Sequence, residues 1–194
     1  VIFAALAVIV IASSFLSPTF RTSHNTTNVL RQAVALGIVA LGQTFVILTG
    51  GIDLSVGSII SLVSSLTAGL LMAHTGRLAP VIIGMLALGA FIGLLNGTLI
   101  TRLKVAPFIV TLGMMSIVQG AVLIYTKSPV GKIPKPYRFL AEGEVGPIPF
   151  PILLFAGLVV ICFFVLRRTT FGRYVYAAGG NEEVARLSGI STSF

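Results

Sequence analysis

LTGGIDLSVGS, residues 48–58, lies between two long apolar runs, and its reading decides whether the chain crosses that region once or twice. From Ala33 to Ala73 the sequence is apolar over far more than the roughly 20 residues one helical crossing needs. The pair Gly50-Gly51 supplies a break, because glycine accepts positive φ and weakens a helix interior. Two spans joined by a tight turn are therefore expected. Asp53 follows the pair, with Ser55 and Gly57 just beyond, and is the only acidic residue in the first 141 positions. As N-cap of a helix opened by Leu54, its carboxylate is placed to accept from the backbone N–H of Ser55 or Val56. The competing reading is a pathway or gating carboxylate, since an acid inside a membrane costs about 2.5–3.5 kcal/mol and is a functional candidate by default.

Outward from this stretch the composition is that of a membrane protein. Of the 194 residues 56% are hydrophobic and 9% charged, with a mean hydropathy of +1.05. Soluble domains carry roughly 25% charged residues. Helical spans are expected at about 1–16, 31–49, 54–73, 80–100, 106–125 and 150–166. Pro80 and Ala106-Pro107 suit first helical turns, and no strand alternation competes. The fold class is thus an all-α integral membrane protein, a polytopic helical bundle of about six spans. The transmembrane region is 1–166, with an extramembrane loop at 126–149, and a polar segment follows at 167–194. Both ends read as cut, so the chain is expected to be a fragment of one longer domain.

The net charge of +8 does not point to nucleic acid, because the cations are scattered singly at span ends. They do not set the topology either. One side holds Arg21, Arg77, Lys127, Lys132, Lys135 and Arg138; the other holds Arg102, Lys104, Arg167, Arg168, Arg173 and Arg186, six against six with Arg31 at a boundary. Gly89, Gly93 and Gly97 share one helix face at i, i+4, i+8, a spacing that lets helix backbones approach closely. Cys162 has no disulfide partner, and His24 and His74 are isolated, so no metal or cofactor is assigned.

Nucleotide and catalytic motifs fail on inspection. Gly131-Lys132 is followed by Ile133 where a P-loop needs Ser or Thr, and Thr126 stands at its first glycine. In RLSGIS, Ile190 and Ser191 replace the second glycine and glutamine of the LSGGQ signature. The loop 126–149 carries no catalytic constellation. Asn25-Thr26-Thr27 fits a glycosylation sequon, a pattern that often arises by chance.

The segment RRTTFGRYVYAAGGNEEVARLSGI, 167–190, is the second informative stretch. Gly179-Gly180 breaks the chain, Asn181 suits an N-cap, and Glu182 and Glu183 fall where the helix dipole favours anions. Val184, Leu187 and Ile190 recur on one face, and Gly189 is placed to end the helix. A one-to-two-turn helix outside the membrane is expected, lying on its own protein or docking into a partner.

Three stretches in order, LTGGIDLSVGS, LNGTLITRLKVAPFIVTLGMM (95–115) and TTFGRYVYAAGGNEEVARLSGI (169–190), resemble the ribose-type permease subunits of ATP-binding-cassette importers. These are a sugar-oriented branch of a superfamily that includes the branched-chain amino-acid permeases. The resemblance runs from about Leu16 to the C-terminus and implies a longer protein with further spans. It implies a permease in the bacterial inner membrane that pairs with a second copy or homologue. Two cytoplasmic ATPase domains and a periplasmic sugar-binding protein complete such an importer, so ATP hydrolysis is expected on a partner. It places 102–104 and the tail in the cytoplasm and 126–149 in the periplasm. Gly180, Asn181, Glu182, Glu183, Val184, Ala185, Arg186 and Leu187 then resemble the coupling helix, which the ATPase moves to alternate access. Selectivity in such importers resides mostly in the binding protein, so scattered polar residues such as Gln43, Asn96 and Gln119 are expected along the pathway, or as helix-packing hydrogen bonds. An amino-acid permease of the same superfamily is the alternative. Further away stand a purely structural membrane subunit and a secondary transporter using Asp53 for ion coupling, although no other acid lies in any span.

Overall fold

The computed structural model describes residues 2–128 and 130–190. Nine helices are present among them: α1 (Ile2–Leu16), α2 (Ser23–Leu48), α3 (Val56–Leu71), α4 (Leu78–Thr101), α5 (Pro107–Tyr125), α6 (Lys135–Glu142), α7 (Phe150–Arg168), α8 (Thr170–Gly180) and α9 (Glu182–Leu187). Four stretches are long and apolar enough to cross a membrane: α2, α4 with its preceding 3-10 turn, α5 and α7; α1 and α3 are shorter apolar helices. The six apolar segments of the sequence are therefore six helices.

Their limits differ from the expected ones where polar side chains cap them. α2 starts at Ser23, not near 31, because Thr22 Oγ1 accepts from Asn25 N at 3.2 Å and Asn25 Nδ2 ties back to Phe20 O at 3.1 Å. Much of the expected loop 17–30 is thus helix. α4 begins at Leu78, with Pro80 in its first turn, and α5 begins on Pro107. The loop 126–149 holds α6 and a two-residue antiparallel hairpin, Glu144–Val145 with Ile148–Pro149, turned at Gly146 (φ 62°). This small strand pair is the only departure from an all-helical fold among the described residues.

Two helix groups make up the bundle. α3, α4 and α5 enclose Leu62, Ile92 and Val118, flanked by Ile59, Leu66, Leu88, Met114 and Val122. α2 packs on α7, where Gly37 receives the ring of Phe155; a Cβ there would lie 2.7 Å from Cε2. Few side chains are buried, and Ile83, Leu86, Leu94, Ile117, Val160 and Phe164 are open on the outside. In water such a surface would drive aggregation; in a bilayer it is the solvated face. None of α1's side chains is buried.

The glycine stripe does not pack as expected within this chain. Among the described residues, a Cβ on Gly89, Gly93 or Gly97 would meet nothing within 4 Å. The reason is rotational: α4 turns Val81, Ile92 and Asn96 inward, and the glycines lie one position, about 100°, around the helix.

Candidate functional site

The break between α2 and α3 is a built structure rather than a simple turn. Three of α2's last carbonyls are closed by the turn itself. Thr49 N donates to Phe45 O, Gly50 N to Ile47 O at 2.9 Å and Gly51 N to Val46 O at 2.9 Å, with Gly50 at φ 79°. This is the glycine-terminated Schellman arrangement. The carbonyl of Leu48 is turned instead toward Gly179 of α8.

From Gly51 to Ser55 the chain is not helical. It runs back into the bundle, since Gln43, which sits about 7–8 Å from the end of α2, donates from Nε2 to Asp53 O at 2.7 Å. Thr111 Oγ1 on α5 shares its proton between Ile52 O at 3.1 Å and Pro107 O, one turn back on its own helix, at 2.9 Å. Asp53 Oδ1 accepts from Ser55 N at 2.8 Å and Ser55 Oγ at 2.6 Å, and Ser55 Oγ accepts from Asn96 Nδ2 on α4 at 3.1 Å. Side chains from three helices and one carboxylate thus satisfy an unwound backbone. Non-helical backbone at membrane depth is tolerated only under such cover. The run also explains why α3 is short. Its 16 residues rise about 24 Å against a hydrocarbon core of about 30 Å, and the unwound run covers the remainder.

Asp53 is therefore not the N-cap. α3 opens at Val56 with Ser55 in the capping place, and no side chain caps that position. The carboxylate stands two residues earlier and holds Ser55, which is fully buried. Gly57, in the first turn of α3, faces open space.

The residues expected along a polar pathway separate into two groups. Gln43 and Asn96 are engaged at the unwound run. Gln119 is not: it is exposed and lines a groove of about 370 Å³ between α3 and α5 with Leu54, Gly57, Ser58, Ser61 and Met115. The serines are visible in the sequence, but only the fold brings them to Gln119. Asn96 is 5% exposed and its Oδ1 has no partner among the described residues. Sequence reasoning missed Thr111, an unremarkable threonine in an apolar helix until α5 is set beside Ile52.

The tail lies at the same end of the bundle as the unwound run. After α7, Thr169 caps α8 by accepting from Gly172 N at 3.2 Å, while its Oγ1 donates to Val165 O at 2.6 Å. Gly172 has no room for a Cβ against the carbonyls of Val165 and Leu166, so the corner requires glycine. Phe171 stacks at a tilt on Phe45 of α2, with centroids 6.3 Å apart. Asn181 Oδ1 then accepts from Val184 N at 3.0 Å to open α9, with Glu182 and Glu183 in the first turn and Arg186 in the last. Gly189 (φ 80°) closes α9 with bonds from Gly189 N to Arg186 O and from Ile190 N to Ala185 O. Ala185 is the buried side of α9, while Val184 and Leu187 are 57% and 79% exposed. The opposite end of the bundle holds the 126–149 segment. Arg31 reaches Glu144 Oε1 at 2.8 Å and Glu142 O at 3.0 Å there, and Ala73 N donates to Lys132 O.

Residues 25–194 match the family described as branched-chain amino acid transport system / permease component. The chain belongs to this permease family. It is a polytopic helical membrane protein. It is 42% identical to the ribose import permease protein RbsC of Bacillus subtilis (strain 168), over 98% of this chain and 60% of that protein. It is 38% identical to RbsC of Escherichia coli (strain K12), over 97% of this chain and 60% of the relative. The D-allose transport system permease protein AlsC of the same strain is 35% identical, over 99% and 60%. The chain thus spans about 60% of the length of these curated relatives. No solved structure matches it.

Proposed function

We propose that the chain forms part of the permease of an ATP-driven importer that carries a simple, ribose-like sugar across the bacterial inner membrane by alternating access. The observation that carries this reading is the similarity to ribose and allose permeases along nearly the whole chain. The family description names amino-acid transport; the sugar relatives favour a sugar cargo.

In this reading residues 1–166 form the membrane region, with 126–149 periplasmic, and 167–194 form a cytoplasmic coupling segment. ATP is hydrolysed on a separate cytoplasmic subunit. A second permease copy or homologue completes the pathway, and a periplasmic binding protein delivers the sugar. Membrane lipid is the remaining partner, and nucleic acid has no part. Val184 and Leu187 project from α9 as the apolar knob that enters the ATPase. Gln119 and Ser61 line the route for sugar. Asp53 has a structural role, because Ser55 occupies its Oδ1 and the unwound run depends on that contact. An ion relay would need a second titratable group on the path, and the spans hold no other acid.

The test is uptake of labelled ribose into proteoliposomes holding the full-length permease, its ATPase and the binding protein. Uptake is expected only with ATP. Uptake driven by a proton gradient without ATP overturns the reading.

A further inference from the structure

We infer that Gly179 is the joint through which movement of the tail reaches the unwound run, an inference that rests on the importer reading. Gly172, Val175 and Gly179 lie on one face of α8, at i, i+3 and i+7, and Val175 is 2% exposed. At Gly179 the contact is backbone to backbone. A Cβ there would fall on the Leu48 carbonyl oxygen, 2.8 Å from its carbon and 3.4 Å from Thr49 Cα.

Such a contact has no rotamers to absorb a displacement, unlike one between two long side chains. Leu48 is the last residue of α2, and the turn at Thr49-Gly50 leads directly into Gly51–Ser55. That run is tied to α2 by Gln43, to α4 by Asn96 through Ser55, and to α5 by Thr111. A shift of α8 therefore bears on a point where α2, α3, α4 and α5 are all linked by hydrogen bonds. The Phe45–Phe171 pair holds α8 in place beside the joint. The neighbouring Gly180 has open space around it, which isolates the requirement to position 179.

The experiment uses the complete reconstituted importer, with ATP turnover and ribose uptake measured in the same vesicles. Gly179→Ala pushes α8 off the Leu48 carbonyl. Sugar carried per ATP is expected to fall by between about twofold and thirtyfold, the span that changes along a coupling route produce, with ATP turnover retained. Gly157→Ala on α7, which meets open space, is expected to leave the ratio unchanged. An unchanged ratio in Gly179→Ala overturns the inference, as does a parallel loss of turnover and uptake, which signals failed assembly rather than lost transmission. Should Gly179→Ala fail to reach the membrane, Phe171→Leu tests the same joint, and an unchanged ratio there overturns the inference equally. A wild-type complex without ATP-driven uptake refutes the importer reading instead, so the two failures are distinguishable.

Discussion

Replacing Asp53 separates its structural role from an ionic one. The carboxylate accepts two hydrogen bonds through one oxygen, from Ser55 N at 2.8 Å and Ser55 Oγ at 2.6 Å. Hydrogen bonds to a charged acceptor contribute about 1.5–3 kcal/mol each, and neighbouring contributions do not add fully. Asp53→Ala removes both and leaves Ser55 N–H unpaired where Ser55 is fully buried, so a loss of about 2–4 kcal/mol is expected. Asp53→Asn keeps an acceptor oxygen in place and loses only the charge. Charge-assisted bonds are roughly twice as strong as neutral ones, so about half the loss, 1–2 kcal/mol, is expected. The assay is a thermal melt of each variant in detergent, paired with ATP-driven uptake in vesicles. The order wild type, Asn, Ala is expected in both readouts. An Asn variant that melts like wild type yet carries no sugar would rule out the structural role, because the charge itself would then be the working part.

Thr111→Val keeps the side chain's shape and leaves Ile52 O without its donor. A destabilisation of about 1 kcal/mol is expected in the same melt. Gly37→Ala sets a methyl 2.7 Å from the Phe155 ring, and overpacking of this kind costs about 1–3 kcal/mol. A lowered melting temperature with normal membrane insertion is expected. Glu144→Gln removes the ion pair with Arg31. The acid is 58% exposed, so the change is expected to stay below about 1 kcal/mol and to vanish in high salt.

Much of the fold was legible because apolar length and glycine breaks are local signals. Gly50-Gly51 marks the end of α2, and Pro107 opens α5 at the expected place. The start of α2 was less legible, because Thr22 and Asn25 extend the helix through polar residues that hydropathy alone assigns to a loop. Asp53 announced a special position by being a lone acid, and its carboxylate is held by the neighbouring Ser55, but the other side chains that hold this run lie far away in sequence. Gln43, Asn96 and Thr111 converge on one unwound run only once four helices are packed. The glycine stripe on α4 shows the opposite limit. Its spacing describes a face and says nothing of what meets that face. The same holds for Gly179, whose side-chain-free contact with Leu48 leaves no signal beyond a glycine pair.

In the importer reading proposed above, α9 hands the motion of an ATPase to the membrane spans. A photo-crosslinking residue at Leu187, the most exposed apolar position of α9, tests it most directly in the complete, transport-competent complex. An adduct with the ATPase subunit, changing in yield between nucleotide-free and ATP-bound states, is the expected result. Adducts with lipid or with the permease alone, while uptake proceeds, would show that α9 does not couple to the ATPase.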